Sequence, residues 1–294
     1  MTRRDPQTSH GAPEDRAAEA LVGPVSGPDL HVMSWNLRRP VPAVLARTAD
    51  RWGVRAPRGR ALLSTEQPTV LGAQEVVAGQ AEAIRAALGA RYRHVRRGRA
   101  PDGGGEATPV FYDADRLELL DWDQSALSDR PSRPGSASWG NVFPRIVVSA
   151  AFRDRATGGR FLAVNTHLDP LSPRSRVRSA QAILAGVAAR GLPVVLTGDL
   201  NAGPSSAAVR ALLADGTLTD SWSGARIRLT AEWGTYARYR APRGGGARID
   251  WILSSSAFSV SRAAINPRRH GGGWPSDHLP VHAVMRLDEG GATT

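Results

Sequence analysis

The sequence contains no cysteine and no lysine among its 294 residues. Without cysteine it has no disulfide bond, thiolate zinc site or cysteine nucleophile, so a metal ion must bind carboxylate, amide or imidazole groups. All 38 basic residues are arginine, and with 27 acidic residues the formal net charge is +11. Guanidinium groups bind phosphate through paired hydrogen bonds, which suits an anionic substrate. A lysine-free, Ala- and Gly-rich composition is also typical of coding bias, so charge alone identifies no substrate.

Long apolar runs are absent as well. No run reaches the roughly 20 residues of a membrane span, and the first ten residues lack the apolar centre of a signal peptide. We therefore expect a cytoplasmic, monomeric protein without stable membrane insertion. Residues 1–28 are rich in Ala, Pro, Gly and acidic residues without periodicity, which predicts a disordered N-terminal tail. We expect one domain over 29–288 and a flexible C-terminus over 289–294.

The most informative stretch runs from Val194 to Pro204, where an apolar, β-branched segment ends in Gly-Asp-Leu-Asn-Ala-Gly-Pro. This pattern predicts a buried strand that delivers polar side chains to a loop at its tip. Asp199 and Asn201 are two residues apart, so in an extended chain both would point to the same side. The alternative is a strand-end turn in which Asp and Asn only bond the nearby backbone.

The same layout recurs along the chain: an apolar strand, polar residues at or next to one of its ends and, after several of the strands, a helical pattern. The helical patterns cover Val41–Trp52, Gln80–Leu88, Ser175–Arg190 and Ser205–Ala214. A lone Glu in such a place is more often a helix cap, and a lone His more often a structural residue. Their repeated association with strand ends favours a functional interpretation. The polar residues near these ends are Asn36, Glu75, His167, Asp199, Asp250, Asp277 and His278.

Two loops are candidates for substrate contact. The Gly-rich segment Arg97–Thr108 lacks the Lys-Ser/Thr ending of a phosphate-binding P-loop, so we interpret it as a flexible loop on the substrate side. The segment from Ser221 to Ala247 interleaves aromatic residues with arginine. Such residues can stack a base or a sugar, pack on lipid, or simply anchor the loop.

Six separated segments, taken in order, resemble the endonuclease/exonuclease/phosphatase superfamily of metal-dependent phosphoesterases. The resemblance extends from about residue 30 to 287 and implies an α/β (α+β) fold. This fold is a four-layer sandwich of two mixed β-sheets packed face to face, with helices on both outer faces and the active site at one edge of the sheets. The segments are Trp35-Asn36-Leu, Gln74-Glu75-Val, Asn165-Thr-His167-Leu-Asp169, Gly198-Asp199-Leu-Asn201, Arg248-Ile-Asp250 and Ser276-Asp277-His278-Leu-Pro.

The resemblance also implies a metal site. Glu75 would be the principal ligand of Mg²⁺ or Mn²⁺, with Asn36 and Asp277 close to the ion. The absence of cysteine and the abundance of oxygen ligands independently favour such a hard cation. By the same matching, Asp199 and Asn201 would orient the attacking water and hold a phosphoryl oxygen.

The two histidines take the remaining roles. His278 would contact the phosphate or act as the base, with Asp250 as the partner that fixes its tautomer and charge. His167 would contact the phosphate or protonate the leaving oxygen. The choice of general base between Asp199 and His278 stays open.

The middle third of the chain resembles a branch of small bacterial members of uncertain substrate, and departs from the exonuclease III pattern. Arg145 and Arg176 match this branch and are candidates for substrate or structural contacts. We favour hydrolysis of a phosphate ester of a small molecule or lipid headgroup. A nuclease is the alternative, supported by the basic body and the arginine-aromatic loop. An inactive binding protein would have a broken acid or histidine position, and none is broken.

Overall fold

The computed structural model describes residues 19–42 and 44–288. This part of the chain contains thirteen strands and five α-helices. The strands are β1 Asp29–Asn36, β2 Val70–Gln74, β3 Tyr92–Val95, β4 Val110–Asp113, β5 Leu117–Ala126, β6 Ile146–Asp154, β7 Arg160–His167, β8 Val194–Asp199, β9 Thr219–Asp220, β10 Ile227–Arg228, β11 Asp250–Ser254, β12 Phe258–Ile265 and β13 Val281–Leu287. The helices are α1 Trp52–Glu66, α2 Ala78–Leu88, α3 Pro173–Arg190, α4 Ala207–Leu213 and α5 Ser221–Gly224.

The strands form two mixed sheets. The first has seven strands in the order β10-β12-β13-β1-β2-β4-β3, and the second has six in the order β5-β6-β7-β8-β11-β9. In the first sheet β1 is parallel to β2, and in the second β7 is parallel to β8. Each parallel pair therefore delivers two carboxyl ends to one edge of its sheet.

The sheets pack face to face around one apolar core. Because side chains alternate between the faces of a strand, Val32 of β1 and Val195 of β8 point into this core, together with Phe152 and Phe161. At one place the sheets come very close, since a Cβ on Gly72 would lie 1.9 Å from Thr197 Oγ1. Only glycine fits there, which explains an isolated glycine inside a buried strand.

Helices cover both outer faces. On the first sheet, α1 and α2 pack Leu62 and Ile84 against residues such as Trp35. On the second sheet, α3 and α4 pack Ile183 and Val209 against residues that include Leu196. The order helix, sheet, sheet, helix confirms the predicted four-layer sandwich.

One predicted helix is wrong in its position. Among the described residues of the segment Val41–Trp52 the structure has a 3-10 turn at Thr48–Asp50, and the α-helix begins at Trp52, where the prediction ended. Pro40 and Pro42 explain the error, because proline lacks a backbone donor and disfavours helical conformation in the residue before it.

Part of the predicted N-terminal tail, upstream of residue 29, contacts the domain. Backbone N–H groups of Leu21, Val22 and Gly23 donate to the buried Glu66 carboxylate, at 2.7, 3.1 and 3.0 Å. Residues 19–28 of the predicted tail are thus attached to α1. Residues 1–18 and 289–294 lie outside the described residues, so their predicted disorder stays a prediction.

Within 19–42 and 44–288, none of the helices has the length and apolar character needed to cross a bilayer.

Candidate active site

The polar residues at the ends of four strands meet at one edge of the sandwich, between the two sheets. Asn36 ends β1 on the same face as Val32, and Asp199 ends β8 on the same face as Val195. His167 and Asp250 stand beside Asp199 in the register of the second sheet. Because all four positions lie on the inward faces, the alternation that buries the apolar residues also directs these side chains toward one another.

A carboxylate oxygen of Asp199 is the centre of this cluster. Asn36 Nδ2 donates to Asp199 Oδ2 at 2.9 Å. His167 Nε2 lies 3.5 Å and His278 Nε2 3.8 Å from the same oxygen. Burial raises the pKa of Asp199, and the neighbouring Asp250 raises it further, while the two histidines lower it. The structure therefore brings three predicted site residues, from three other segments, within reach of one oxygen atom of Asp199.

His278 and Asp250 form a buried pair. His278 Nδ1 donates to Asp250 Oδ2 at 2.8 Å, which leaves Nε2 directed toward Asp199. Burial opposes a charged imidazole, but Asp250 and Asp199 outweigh it and raise the pKa of His278 to about 10. The His278 ring also packs against Tyr236, with 4.8 Å between ring centroids. His278 is therefore a fixed cation at neutral pH.

His167 has the opposite character. Burial is the main cause that lowers its pKa to about 4; Arg145 lowers it further, against the pull of Asp199. His167 is thus a neutral imidazole at neutral pH, one donor and one acceptor, 3.5 Å from Asp199 Oδ2. The site contains one charged and one neutral histidine.

The residues predicted to bind metal lie beside this cluster. Glu75 Oε1 accepts a hydrogen bond from Asn36 Nδ2 at 3.2 Å, and Oε2 accepts one from the Arg39 backbone at 3.0 Å. Burial disfavours the Glu75 carboxylate and would raise its pKa. The charge of His167, which is protonated in the pH range where Glu75 titrates, and these hydrogen bonds outweigh burial and lower the pKa of Glu75 to about 2. Glu75 is therefore an ionised carboxylate at any physiological pH, as a metal ligand must be.

Asp277 completes the predicted metal set. Ser276 Oγ donates to Asp277 Oδ1 at 3.3 Å, and Arg38 Nε lies 3.8 Å from Oδ2. Burial raises the pKa of Asp277, and Glu75 is one of the negative charges that raise it further. Two carboxylates that influence each other, one of them hydrogen-bonded to the carboxamide of Asn36, supply the oxygen donors that a hard divalent cation prefers.

A second group also satisfies the distance requirement for a metal. Asp199, Asp250 and His278 bring one ligand atom each within 4.8 Å of one another. However, Asp250 and His278 already bond each other at 2.8 Å, so a cation there would displace that bond. This group is therefore the less suitable place for a cation.

The prediction for Asn201 rests on a wrong premise. β8 ends at Asp199, and Asn201 has a left-handed backbone with φ of +47°. Its backbone N–H donates to Asp199 Oδ1 at 2.9 Å and its Nδ2 donates to Leu168 O at 3.0 Å. Asn201 stays next to Asp199 through a tight turn, which asparagine tolerates in this conformation, and not through an extended strand.

Several contacts near the site were not predicted from the sequence. Arg38 Nε lies 3.4 Å from Asp50 Oδ1, and Tyr239 donates to the same carboxylate oxygen at 2.7 Å. Glu106 bonds Arg99 at 2.9 Å. The only available signal for Arg38 was its position directly after the Asn36 motif. Asp50 lies 189 residues from Tyr239, so sequence spacing offers no indication of that contact.

The two branch arginines both contact Asp169. Arg145 Nε lies 3.5 Å from Asp169 Oδ2, and Arg176 Nη1 donates to the Asp169 carbonyl at 2.8 Å. Arg176 thus ties the start of α3 to the end of β7, a structural contact. Arg145 also faces a cavity beside Glu75 and His167.

Comparison with known proteins agrees with this geometry. Residues 33–278 match the model of the Endonuclease/Exonuclease/phosphatase family. No curated protein matches the sequence. A mannosyl-6-phosphatase from Bacteroides thetaiotaomicron VPI-5482 is 29% identical, with a TM-score of 0.81 over 87% of this chain and 99% of that one. An endonuclease/exonuclease/phosphatase from Bacteroides vulgatus is 30% identical, with a TM-score of 0.81 over 88% and 99%.

A more distant structure shares the fold. TDP2 from D. rerio, solved with a single-stranded DNA product, is 18% identical, with a TM-score of 0.63 over 88% of this chain and 99% of that one. The family match covers most of the chain. It includes five of the six predicted site segments in full, and it includes Ser276-Asp277-His278 of the sixth. The chain belongs to the endonuclease/exonuclease/phosphatase family and is a hydrolase of phosphate esters.

Proposed function

We propose that this protein is a Mg²⁺- or Mn²⁺-dependent hydrolase of small-molecule phosphate esters, with a phosphomonoester as its substrate. The observation that carries the proposal is the convergence of Asn36, His167 and His278 on Asp199 Oδ2, at 2.9, 3.5 and 3.8 Å. The similarity to a mannosyl-6-phosphatase supports a monoester substrate.

In this proposal Asp199 activates the attacking water. Its Oδ1 is held by the Asn201 backbone and its Oδ2 by Asn36, so the carboxylate is fixed in orientation. A water on Oδ2 would give its proton to that oxygen as it attacks phosphorus. Fixing the nucleophile in line with the ester is a large part of catalysis in such reactions.

His278 and His167 would serve the phosphoryl group. A charged His278 donates its Nε2 proton to a phosphoryl oxygen and stabilises the negative charge that develops there. A neutral His167 donates one N–H to a second oxygen or to the leaving oxygen. Since Asp250 keeps His278 charged, His278 is a poor base, and this favours Asp199 as the base.

Glu75, Asn36 and Asp277 would hold the divalent ion. When bound, the ion neutralises phosphate charge and polarises the ester toward hydrolysis. The ionised Glu75 carboxylate is the main attraction for it, and Arg38 balances the charge of Asp277.

The test is hydrolysis by the purified protein with Mg²⁺, with Mn²⁺ and with chelator, on a panel of phosphomonoesters, phosphodiesters, phospholipid headgroups and plasmid DNA. We expect metal-dependent cleavage of phosphomonoesters and loss of that activity in Asp199→Asn. Absence of hydrolysis across the panel would contradict the proposal.

A nuclease is the second candidate, favoured by one feature of the arginine-aromatic loop. Tyr236 is 44% exposed, packs on His278 and lies under the Arg238 guanidinium, 4.8 Å from the ring centroid. An exposed ring of this kind beside a phosphoesterase centre can stack a base. Cleavage of DNA that falls steeply with added salt, and that Tyr236→Ala weakens, would favour this candidate. The predicted monomeric state and cytoplasmic location stay predictions.

A further inference from the structure

A small cavity adjoins the metal and phosphate positions. Its lining includes Glu75 and His167 from the active site, and Glu106, Thr108 and Arg145 from the surrounding loops. Its volume is about 10 Å³, close to the minimum that holds one water-sized group. A phosphate ester bound against His167 would therefore have room here for one oxygen-sized substituent.

Two buried polar atoms in this wall form no hydrogen bond. They are Thr108 Oγ1 and Arg145 Nε, in residues that are 4% and 5% exposed, and Arg145 Nε has only the ion pair with Asp169 Oδ2 at 3.5 Å. Buried polar groups nearly always find a partner, so a hydroxyl group or a water molecule in the cavity can complete the hydrogen bonding of these two atoms. Both atoms belong to residues of the same cavity.

The charges of the cavity are close to balance. Glu106 pairs with Arg99 at 2.9 Å and with Arg39 at 3.4 Å, while Arg145 lies 3.5 Å from Asp169. Glu75 contributes a further negative charge beside them. A second phosphate or a carboxylate would find no surplus of positive charge here, and it would meet two carboxylates at once. The cavity therefore suits a neutral group that both donates and accepts hydrogen bonds.

We propose that this cavity receives a hydroxyl group of the alcohol part of the substrate, which makes Glu106, Thr108 and Arg145 specificity-determining residues. A hydroxyl has one donor and two lone pairs. It can donate to Glu106 while it accepts from Arg145 Nε and from Thr108. This inference rests on the proposed monoesterase function and deepens it: the substrate class is phosphate esters of polyhydroxy compounds, such as hexose phosphates.

The experiment compares a sugar ester with a matched ester that lacks hydroxyls. We would measure kcat/KM on mannose 6-phosphate, glucose 6-phosphate and cyclohexylmethyl phosphate with Mg²⁺, and take the ratio of each sugar ester to the cyclohexyl ester. Thr108→Val should lower the ratio for the preferred sugar about 2–10-fold, the worth of a neutral hydrogen bond. Glu106→Gln should lower it by a similar or larger factor, because a carboxylate makes the stronger bond.

Conservative and remote variants complete the design. Thr108→Ser keeps the hydroxyl and should keep the ratio, which distinguishes binding from a packing defect. Thr65→Val in α1 and Glu118→Gln in β5 make the same chemical changes away from the cavity and should leave the ratio as in the wild type. Thermal unfolding of each variant checks that it folds.

The outcomes separate the inference from the function on which it rests. Hydrolysis of all monoesters with a ratio that Thr108→Val and Glu106→Gln leave unchanged would overturn the inference and keep the monoesterase. A cavity filled only by water would give that result. A wild type that cleaves DNA but none of the three monoesters would overturn both.

Discussion

Two buried histidine clusters next to the first sheet contain the same residue types and have opposite electrostatics. In the active site, His278 lies among Asp250, Asp199 and Asp277. On the outer face of the sheet, His31 and His282 lie near Glu66 of α1, and the three bring ligand atoms within 4.8 Å of one another. All three are almost fully buried. Distance and burial alone would give both clusters the same function.

The difference lies in what each carboxylate bonds. Asp250 bonds the ring of His278 directly and raises its pKa. Glu66 instead accepts hydrogen bonds from the backbone of Leu21, Val22 and Gly23 and from Asn266. These donors saturate its oxygens, which leaves Glu66 no free acceptor for a histidine. A carboxylate creates a functional histidine only when its oxygens are free to bond it.

The second cluster therefore consists of neutral histidines. His31 Nδ1 donates to Gly23 O at 2.8 Å, so its Nε2 accepts from His282 Nδ1 at 2.9 Å. Burial lowers the pKa of His31 to about 3, and burial also lowers that of His282. This chain of hydrogen bonds, together with Glu66, attaches the N-terminal segment to the domain. We assign it to stability, whereas the active-site cluster has the proposed catalytic role.

The largest effect that the comparison predicts is on turnover. His278→Ala should lower kcat roughly 10²–10⁴-fold, because a positioned proton donor contributes that much. His282→Ala removes a histidine of equal burial and should leave kcat per folded molecule close to the wild type. Steady-state kinetics on one phosphomonoester checks both variants. Near-equal turnover in the two would mean that the clusters do not differ as we describe.

The next effect is on folding stability. Glu66→Ala removes the acceptor for three backbone N–H groups and should lower the free energy of unfolding by about 3 kcal/mol, since each buried donor left unsatisfied costs roughly 1–3 kcal/mol. Urea denaturation followed by circular dichroism measures the loss. The control is Glu118→Ala in β5, whose carboxylate is half-exposed and pairs with Arg153 at 3.2 Å. Equal stability losses would contradict an anchoring role for Glu66.

Metal dependence comes third. Glu75→Gln removes the negative charge of the principal predicted ligand. The Mg²⁺ concentration for half-maximal activity should therefore rise by at least roughly 10–100-fold. That is the loss of metal affinity that follows removal of a residue that only supports a ligand. Titration of activity with Mg²⁺ after chelator treatment measures it. Glu106→Gln, in the neighbouring cavity, is the matched control and should shift this midpoint far less. An unchanged requirement in Glu75→Gln would remove Glu75 from the metal site.

The sequence predicted the strand ends well and the turns beyond them poorly. Apolar runs ending in Asn36, His167 and Asp199 are local patterns, and alternation along a strand decides which face each side chain takes. The backbone beyond those ends follows no such rule. Glu75 and Asn201 have φ values of +60° and +47°, in a region that few non-glycine residues adopt. Their side-chain directions therefore could not be derived from an extended chain.

Long-range contacts were the other gap. The sequence predicts that the Gly-rich loop is a flexible loop on the substrate side. In the structure this loop contains internal hydrogen bonds, such as the one that Arg99 N donates to Glu106 O at 2.8 Å. It carries Glu106 to the cavity beside Glu75. Nothing local in this loop identifies its contact across the site, because the contact depends on how β4 packs against β2. The Glu66 cluster was missed for the same reason, since its members come from β1, α1 and β13.

The smallest predicted effect, and the sharpest test of the comparison, is the pH dependence of stability. The folded-state pKa of His31 is depressed from 6.5 to about 3, so its contribution is present above pH 6.5 and is lost as the pH falls, because the unfolded chain binds the proton first. His278 is raised to about 10, so its contribution is present below pH 6.5 and is lost as the pH rises toward 10. The two clusters should therefore contribute with opposite signs to the slope of the free energy of unfolding against pH.

Urea unfolding of metal-free protein between pH 5 and pH 9 measures these slopes. Between pH 7 and pH 5 the wild type should lose about 1–2 kcal/mol more than His31→Gln, since one fully shifted histidine changes stability by roughly 1.4 kcal/mol per pH unit. Glu66, with a pKa lowered to about 2, contributes its loss only below about pH 4.5 and stays outside this window. Between pH 7 and pH 9 the wild type should lose more than His278→Gln. If both substitutions changed the pH dependence of the free energy of unfolding in the same direction, the carboxylates would not distinguish the two clusters.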